Sequence, residues 1–184
     1  MNMLERVAYR VFSLLGREVC HREYLNQKSA EPNERVIEYN FALRCIWNSS
    51  AQNILDVGTG TSPWPALLRT CGYVVTAIDE MGSYWHGQLF NRHFYIIKDD
   101  ITHPKLSKTF DLITCISTLE HISNPQNAIR GMFSLLKRGG YLCLPFPIMN
   151  YTTLTTFTNC LALATGKTLR ISAGFFLDRR LTCG

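Results

Sequence analysis

The residues with the clearest chemical potential begin with Asp56, Gly58 and Gly60 in the stretch NILDVGTGTSPWP, Asn53 to Pro65. A buried apolar run ends there on a carboxylate and two glycines, and a glycine lets backbone approach a ligand with no Cβ in the way. With Thr59 between them, the glycines have the spacing of a nucleotide-cradling loop, yet Pro63 stands where a dinucleotide loop carries a third glycine. The next apolar run, YVVTAID, closes on Asp79, followed by Glu80. Asp79 lies about 20 residues past the first glycine, where an acid accepts hydrogen bonds from both hydroxyls of a ribose. A third run ends in Asp99 and Asp100, placed to accept from the exocyclic amine of an adenine, with Ile101 next to pack on the ring.

Three successive acids of this kind outline one adenosine site, and Pro63 then narrows the rest of the ligand. A pyrophosphate needs close access to a helix N-terminus and carries negative charge that Asp56 opposes. A zwitterionic amino-acid tail suits the loop better, its ammonium beside Asp56 or a carbonyl and its carboxylate toward loop amides. Adenosine joined to such a tail is S-adenosyl-L-methionine.

The elements that must hold these residues follow from apolar periodicity. NILDV, YVVTAID, FYII, FDLITCI and YLCLPF read as strands, each too short for a helix and bounded by turn residues. They alternate with helical segments, which calls for crossover connections and a parallel sheet in an α/β fold. Pro63 or Pro65 opens one helix that runs to Cys71; Asn124 caps another, with Pro125 at its first position, running to about Leu136 before KRGG stops it. Ahead of the sheet, Leu4, Val7, Ala8, Val11, Leu14 and Leu15 mark an amphipathic helix that packs on the domain or serves as a lid or membrane-surface helix. A second helix from about Glu34 to Trp47 shows an apolar stripe of Val36, Ile37, Asn40, Phe41, Leu43 and Trp47. Between Asp79 and Phe94 at most a short helix is expected, and Tyr84, Trp85 and His86 there border a pocket or form an aromatic cover. Residues 1–50 are thus read as N-terminal helices packing on or capping a core of residues 51–184.

Composition excludes several classes. Residues 29 to 149 carry ten Lys/Arg and ten Asp/Glu, so the net charge of +5 sits in the two ends, and the core lacks the clustered cations that a nucleic-acid face requires. The seven cysteines include no C-x-x-C pair, which points to neither a zinc site nor a disulfide framework but to reduced thiols in the cytoplasm. Cys115 and Cys143, inside apolar strands, read as core thiols. Nothing approaches the roughly 18 apolar residues of a membrane span, although the first helix allows a peripheral membrane contact. The oligomeric state is left open.

The motifs ILDVGTGTSP, AIDE, KDDIT, FDLITCISTLEHI and LLKRGGYLCLPFP, in this order over residues 53 to 147, resemble the class I S-adenosylmethionine-dependent methyltransferases. The resemblance implies a Rossmann-like, doubly wound, mostly parallel sheet with helices on both faces. It places the methionine part of the cofactor on Asp56, Gly58 and Gly60, the ribose on Asp79, and the adenine on Asp100 and Ile101, with Thr59, Glu80 and Ser117 also at the cofactor. EYNFALRCI and STLEHI look most like small methyltransferases associated with cell-surface polysaccharide synthesis.

The family's core usually ends with two further strands, the last inserted antiparallel, and only 37 residues follow Pro147. KTLRI and GFFL can be strands, whereas TTLTTFTNCLALATG reads as a helix or an irregular segment, leaving the C-terminal part shortened or rearranged.

A small-molecule or saccharide acceptor, through a hydroxyl, is expected over the ends of the fourth and fifth strands near His121, Glu120 and PFPIMN. His121 is the candidate base, because an imidazole takes up a proton near neutral pH, and Glu120 orients it or contacts the cofactor; the alternative is that Leu-Glu-His merely pins the loop. Some relatives use E-x-x-E-H to bind a metal, but Ser117 replaces the first Glu here, so no metal is expected. The competing functional reading is a non-catalytic methyltransferase-like module that binds the cofactor or a partner protein, with a nicotinamide-dependent oxidoreductase third.

Overall fold

The computed structural model describes residues 2–28, 33–80, 91–148, 156–165 and 168–174, with backbone alone beyond residue 145. The 81–90 segment, with Tyr84, Trp85 and His86, lies outside the described residues, as does all of GFFL beyond Gly174.

The chain divides into two compact units, residues 1–33 and 34–184. The first holds helix α1 (Met3–Leu25), opened by a capping box in which Asn2 and Glu5 satisfy each other's backbone amides at 2.8 Å; none of its residues is buried. The second begins with α2 (Arg35–Ser49), so this helix, grouped with α1 in the sequence reading, belongs with the sheet. Its buried face differs from the predicted stripe. Glu38, Phe41, Ala42, Cys45 and Ile46 face inward at i, i+3, i+4, i+7 and i+8, while Val36, Ile37, Leu43 and Trp47 are exposed. Glu38, absent from the predicted stripe, turns inward because its carboxylate finds two partners there, the Ser117 hydroxyl and the Arg35 guanidinium.

The sheet of this unit comprises β1 (Asn53–Val57), β2 (Val74–Asp79), β3 (Ile97–Lys98), β4 (Phe110–Thr114), β5 (Leu136–Ile148), β6 (Thr156–Thr165) and β7 (Thr168–Gly174). Its order is β3-β2-β1-β4-β5-β6-β7, and β1 to β5 pair in parallel. Parallel neighbours require crossovers, supplied by α3 (Trp64–Thr70) between β1 and β2 and α4 (Pro125–Ser134) between β4 and β5. Pro65 lies at the start of α3, and Asn124 caps α4 by accepting from the Asn127 amide at 3.1 Å, with Pro125 following.

Side chains alternate along the strands into two apolar clusters on opposite faces. Leu55, Ile113 and Leu142 pack with Ala128 and Met132 of α4, whereas Ile54, Leu112 and Cys143 pack with α2 and with Trp64 and Leu68 of α3. Burial on both faces explains why NILDV reads as a continuous apolar run.

Three expectations are corrected. The third strand is only Ile97–Lys98 instead of FYII. The KRGG segment lies within β5, where register jumps from Phe110↔Leu136 to Leu112↔Tyr141; Gly139 takes φ 81° there, so the extra residues loop out of the ladder. The segment expected to be helical or irregular after Pro147 contains β6, antiparallel to β5, and β7 turns back antiparallel to β6. Threonine-rich, β-branched sequence favours this ladder, and the order places β6 beside β5 with no strand inserted between them.

Candidate functional site

The chain moves from β1 outward through β2 to β3, then returns to place β4 on the other side of β1. Such a reversal opens a crevice beyond the carboxyl ends of the central strands. A cavity of about 870 Å³ lies there, within the roughly 300–1,000 Å³ span of small-molecule and cofactor clefts. Its lining includes Asp56, Gly58, Thr59, Gly60, Asp79, Glu80, Asp100, Ile101, Ser117 and His121. The predicted site residues are therefore brought together from four strand ends. Glu120 is exposed and is not part of the lining.

At the centre, Asp56 on β1 is paired in register with Thr114 on β4. Its carboxylate is 3% exposed and accepts from Thr114 Oγ1 at 2.7 Å and Thr59 Oγ1 at 2.6 Å. Burial pushes this carboxyl up to about 6, against the two threonine hydroxyls, which lower it; Asp79 adds to the rise and Arg35 opposes it. Trp64 Nε1 donates to Thr114 Oγ1 at 3.4 Å, extending the network into the core.

The two glycines serve different ends. Gly58 has φ 72°, and a Cβ there would lie 2.0 Å from Thr118 Cγ2, so its missing side chain makes room for the protein's own threonine instead of a ligand. Thr118 Oγ1 in turn donates to Gly58 O at 3.2 Å. Gly60 has φ 52°, lines the cavity, and a Cβ on it would meet nothing within 4 Å. Its amide donates to Asp79 Oδ2 at 2.8 Å, fixing the β2 carboxylate against the loop. Asn91 holds the same loop from outside, donating to Gly60 O at 3.0 Å and Ser62 O at 2.8 Å.

The acids after β3 divide their work. Asp99, 6% exposed, accepts from the amides of Asp100, Lys105 and Leu106, tying the following loop. Asp100 faces the cavity and accepts from the Thr102 amide and hydroxyl at 2.8 Å. Burial pushes its carboxyl up, but the Thr102 donors and His103 outweigh that and hold it below the usual carboxylate value. Ile101 is buried in the core beside α4, where Gly131 comes so close that a Cβ would lie 1.8 Å from Ile101 O.

Beyond β4, Ser117 adopts φ 44°, a left-handed conformation, and a 3₁₀ turn over Leu119–His121 presents His121 at the cavity. The sequence reading missed α2 as a wall. Arg35 and Tyr39 line the cavity; Tyr39 stacks on Trp64 at 4.7 Å and bonds Ser62 Oγ at 2.9 Å. Polar residues three and four apart around buried Glu38 were the available signal. Cys115 is fully buried and, chiefly through that burial, its thiol is pushed far above its ordinary value, which fits a core thiol. Among the described residues, no three His, Cys, Asp or Glu side chains gather as a metal site requires.

A crevice at the switch point, a glycine turn and an acid at each of the first three strand ends define an α/β domain built around a nucleoside cofactor. Residues 21–148 match the family model for the methyltransferase domain, and the chain belongs to that family, the class I S-adenosylmethionine-dependent methyltransferases, whose cofactor is S-adenosyl-L-methionine. It is 33% identical over 98 residues to the ubiquinone biosynthesis O-methyltransferase of Coxiella burnetii, covering 50% of this chain and 42% of that one. It is 31% identical over 111 residues to the enzyme of the same name from Pseudomonas fluorescens, covering 53% and 47%. The chain thus spans less than half the length of these two curated relatives. The N-methyltransferase NodS of Bradyrhizobium japonicum, solved with S-adenosyl-L-homocysteine, aligns over 70% of this chain and 71% of its own, at 20% identity and a TM-score of 0.49.

Proposed function

We propose that this chain holds S-adenosyl-L-methionine in the strand-end cavity and directs its methyl group to a hydroxyl of a small-molecule or saccharide acceptor. The observation that carries the reading is the convergence of Asp56, Asp79 and Asp100 with the Gly60 turn on one cavity. The residues fit the cofactor: Asp79 is fixed by Gly60 where ribose hydroxyls would be received, and Asp100 with Ile101 forms the adenine end. Asp56 offers a carboxylate to the ammonium. Arg35, the sole Lys or Arg among the described residues of the lining, offers a cation to the tail carboxylate.

When bound, the cofactor supplies an electrophilic methyl group on a sulfonium, so the protein's task is alignment and, for a hydroxyl acceptor, proton removal. His121 is the proton acceptor in this reading, presented by the 3₁₀ turn at the cavity wall. Ser62, Thr118 and Ser123 add hydroxyls to the lining, which suit a polyhydroxylated acceptor. The names of the curated relatives specify transfer to oxygen for those proteins and support the same atom here. A cytoplasmic setting is part of the proposal, on the scatter of the seven cysteines without a C-x-x-C pair; no described helix is long and apolar enough to cross a membrane.

Calorimetric titration with S-adenosylhomocysteine tests the reading. Binding is expected, weakened at least tenfold by Asp79→Ala, which removes both the ribose acceptor and the partner of the Gly60 amide. Folded wild-type protein that takes up no ligand refutes the proposal. Labelled-methyl transfer to nucleotide sugars and phenolic acceptors then separates catalysis from binding: His121→Ala is expected to lose turnover while retaining affinity, and unchanged turnover removes His121 as the base.

A further inference from the structure

Glu38 is the most deeply buried charged side chain of the described structure, 0% exposed, yet it does not line the cavity. Its two carboxylate oxygens are divided between two groups that do. Oε1 accepts a hydrogen bond from Ser117 Oγ, and Oε2 pairs with Arg35 Nη1 at 3.0 Å. Arg35 precedes Glu38 by less than one turn of α2; Ser117 belongs to the far side of the wall, at the end of β4, where its amide also donates to Pro145 O at 3.3 Å on β5.

A buried carboxylate survives only with charge-assisted partners, and removing one leaves the other exposed to the full desolvation cost. That requirement makes Glu38 a rigid joint. It fixes the guanidinium of a side chain that is 41% exposed, and it seats the hydroxyl of a residue whose φ of 44° lies in the left-handed region. Arg35 and Ser117 both stand on the cavity wall with Asp56, whereas Glu80, Asp100 and Thr102 belong to the β2 and β3 ends.

We propose that Glu38 is a positioning residue for the amino-acid end of the cofactor: from the buried face of α2 it orients Arg35 and Ser117 and so sets the charge arrangement opposite Asp56. This rests on the proposed function and deepens it. Glu38 touches no ligand; it acts through its two partners, and the adenosine end of the cavity is built without it.

The test compares two ligands in calorimetry of the full chain. S-adenosylhomocysteine carries the amino-acid tail, and 5′-methylthioadenosine carries the same nucleoside without it. Glu38→Gln keeps an acceptor for Ser117 but cancels the charge that holds Arg35. It is expected to weaken S-adenosylhomocysteine at least tenfold while changing methylthioadenosine affinity less than twofold. Ser117→Ala, which leaves the Arg35 pair intact and gives a result even if the Glu38 variant does not fold, is expected to show a smaller loss confined to S-adenosylhomocysteine. Equal losses for both ligands, or an unaltered S-adenosylhomocysteine affinity, overturn the proposal. Failure of the wild-type chain to bind either ligand instead overturns the proposed function on which it rests.

Discussion

Replacing each glycine of the first turn by alanine separates packing from ligand access. Both have positive φ, a conformation that costs an L-residue about 1–2 kcal/mol. At Gly60 this is the whole expected effect on stability, since the added methyl meets no protein atom within 4 Å. At Gly58 the methyl would approach Thr118 Cγ2 to 2.0 Å and Oγ1 to 2.5 Å. Thr118 cannot rotate away without loss, because its hydroxyl donates to Gly58 O and, at 3.0 Å, to Ile116 O. Overpacking of this kind adds about 1–3 kcal/mol, so Gly58→Ala is expected to cost about 2–5 kcal/mol in total. In urea, with m of about 1–3 kcal/mol/M, its midpoint falls roughly 1 M below that of Gly60→Ala. Thr118→Ala removes the two nearest atoms but keeps its Cβ 2.7 Å from the added methyl, so combining it with Gly58→Ala recovers only part of the overpacking cost. For S-adenosylhomocysteine the order reverses, with Gly60→Ala the weaker binder because its methyl projects from the cavity lining. Equal unfolding midpoints for the two single variants would refute the division of labour.

Two predictions concern carboxylates at opposite ends of the sheet. The Asp56 carboxyl sits at about 6 instead of its ordinary 3.8. The folded chain therefore binds this proton more tightly than the unfolded one, and stability is lost as pH rises through the 4–6 window, by up to about 3 kcal/mol, and is level above it. Urea titrations across pH on wild type and Asp56→Asn are expected to differ by that slope; parallel curves would show that the carboxylate is not desolvated. At the amino ends of the strands, Asp111 accepts from the Asn53 amide at 2.8 Å, the Gln52 amide at 3.1 Å and Lys137 Nζ at 2.6 Å. Burial raises its carboxyl, but Lys137 and the amides outweigh that and hold it well below the usual range, so its stabilising effect is present at neutral pH and is lost on acidification below the ordinary carboxylate value. Asp111→Ala is expected to cost about 1–3 kcal/mol at pH 7, measured by denaturation, with S-adenosylhomocysteine affinity unchanged; a fall in affinity would contradict the separation of the two ends.

What the sequence made legible and what it hid have a common cause. Strand β1 falls at Asn53–Val57 as read, and β2 and β4 within two residues, because strands buried on both faces are continuous apolar runs with punctuated ends. The acids at the ends of the first two runs, Asp56 and Asp79, could be identified because a carboxylate at the edge of apolar sequence stands out. The same contrast hid the inner face of α2: a stripe drawn through Val36, Ile37, Leu43 and Trp47 passes over Glu38, whose inward position depends on the distant Ser117. Asn91 and Thr118, which brace the glycine turn from distant parts of the chain, carry no periodic signal at all. Nor does local pattern reveal that Thr156–Thr165 pairs antiparallel with Thr168–Gly174, since pairing of antiparallel neighbours is decided by the strand each one finds.

Trp64 gives the cavity an optical reporter. Its ring is 1% exposed, it stacks on Tyr39, and its indole N–H reaches Thr114, whose hydroxyl bonds the Asp56 carboxylate. Trp47, by contrast, is 82% exposed. In a variant with Trp47 and Trp85 replaced by phenylalanine the emission comes from Trp64 alone, and an ammonium arriving at Asp56 would alter the field along the hydroxyl chain that ends on its ring. The proposed cofactor site is thus wired to a fluorophore of its own, one hydrogen-bonded threonine away.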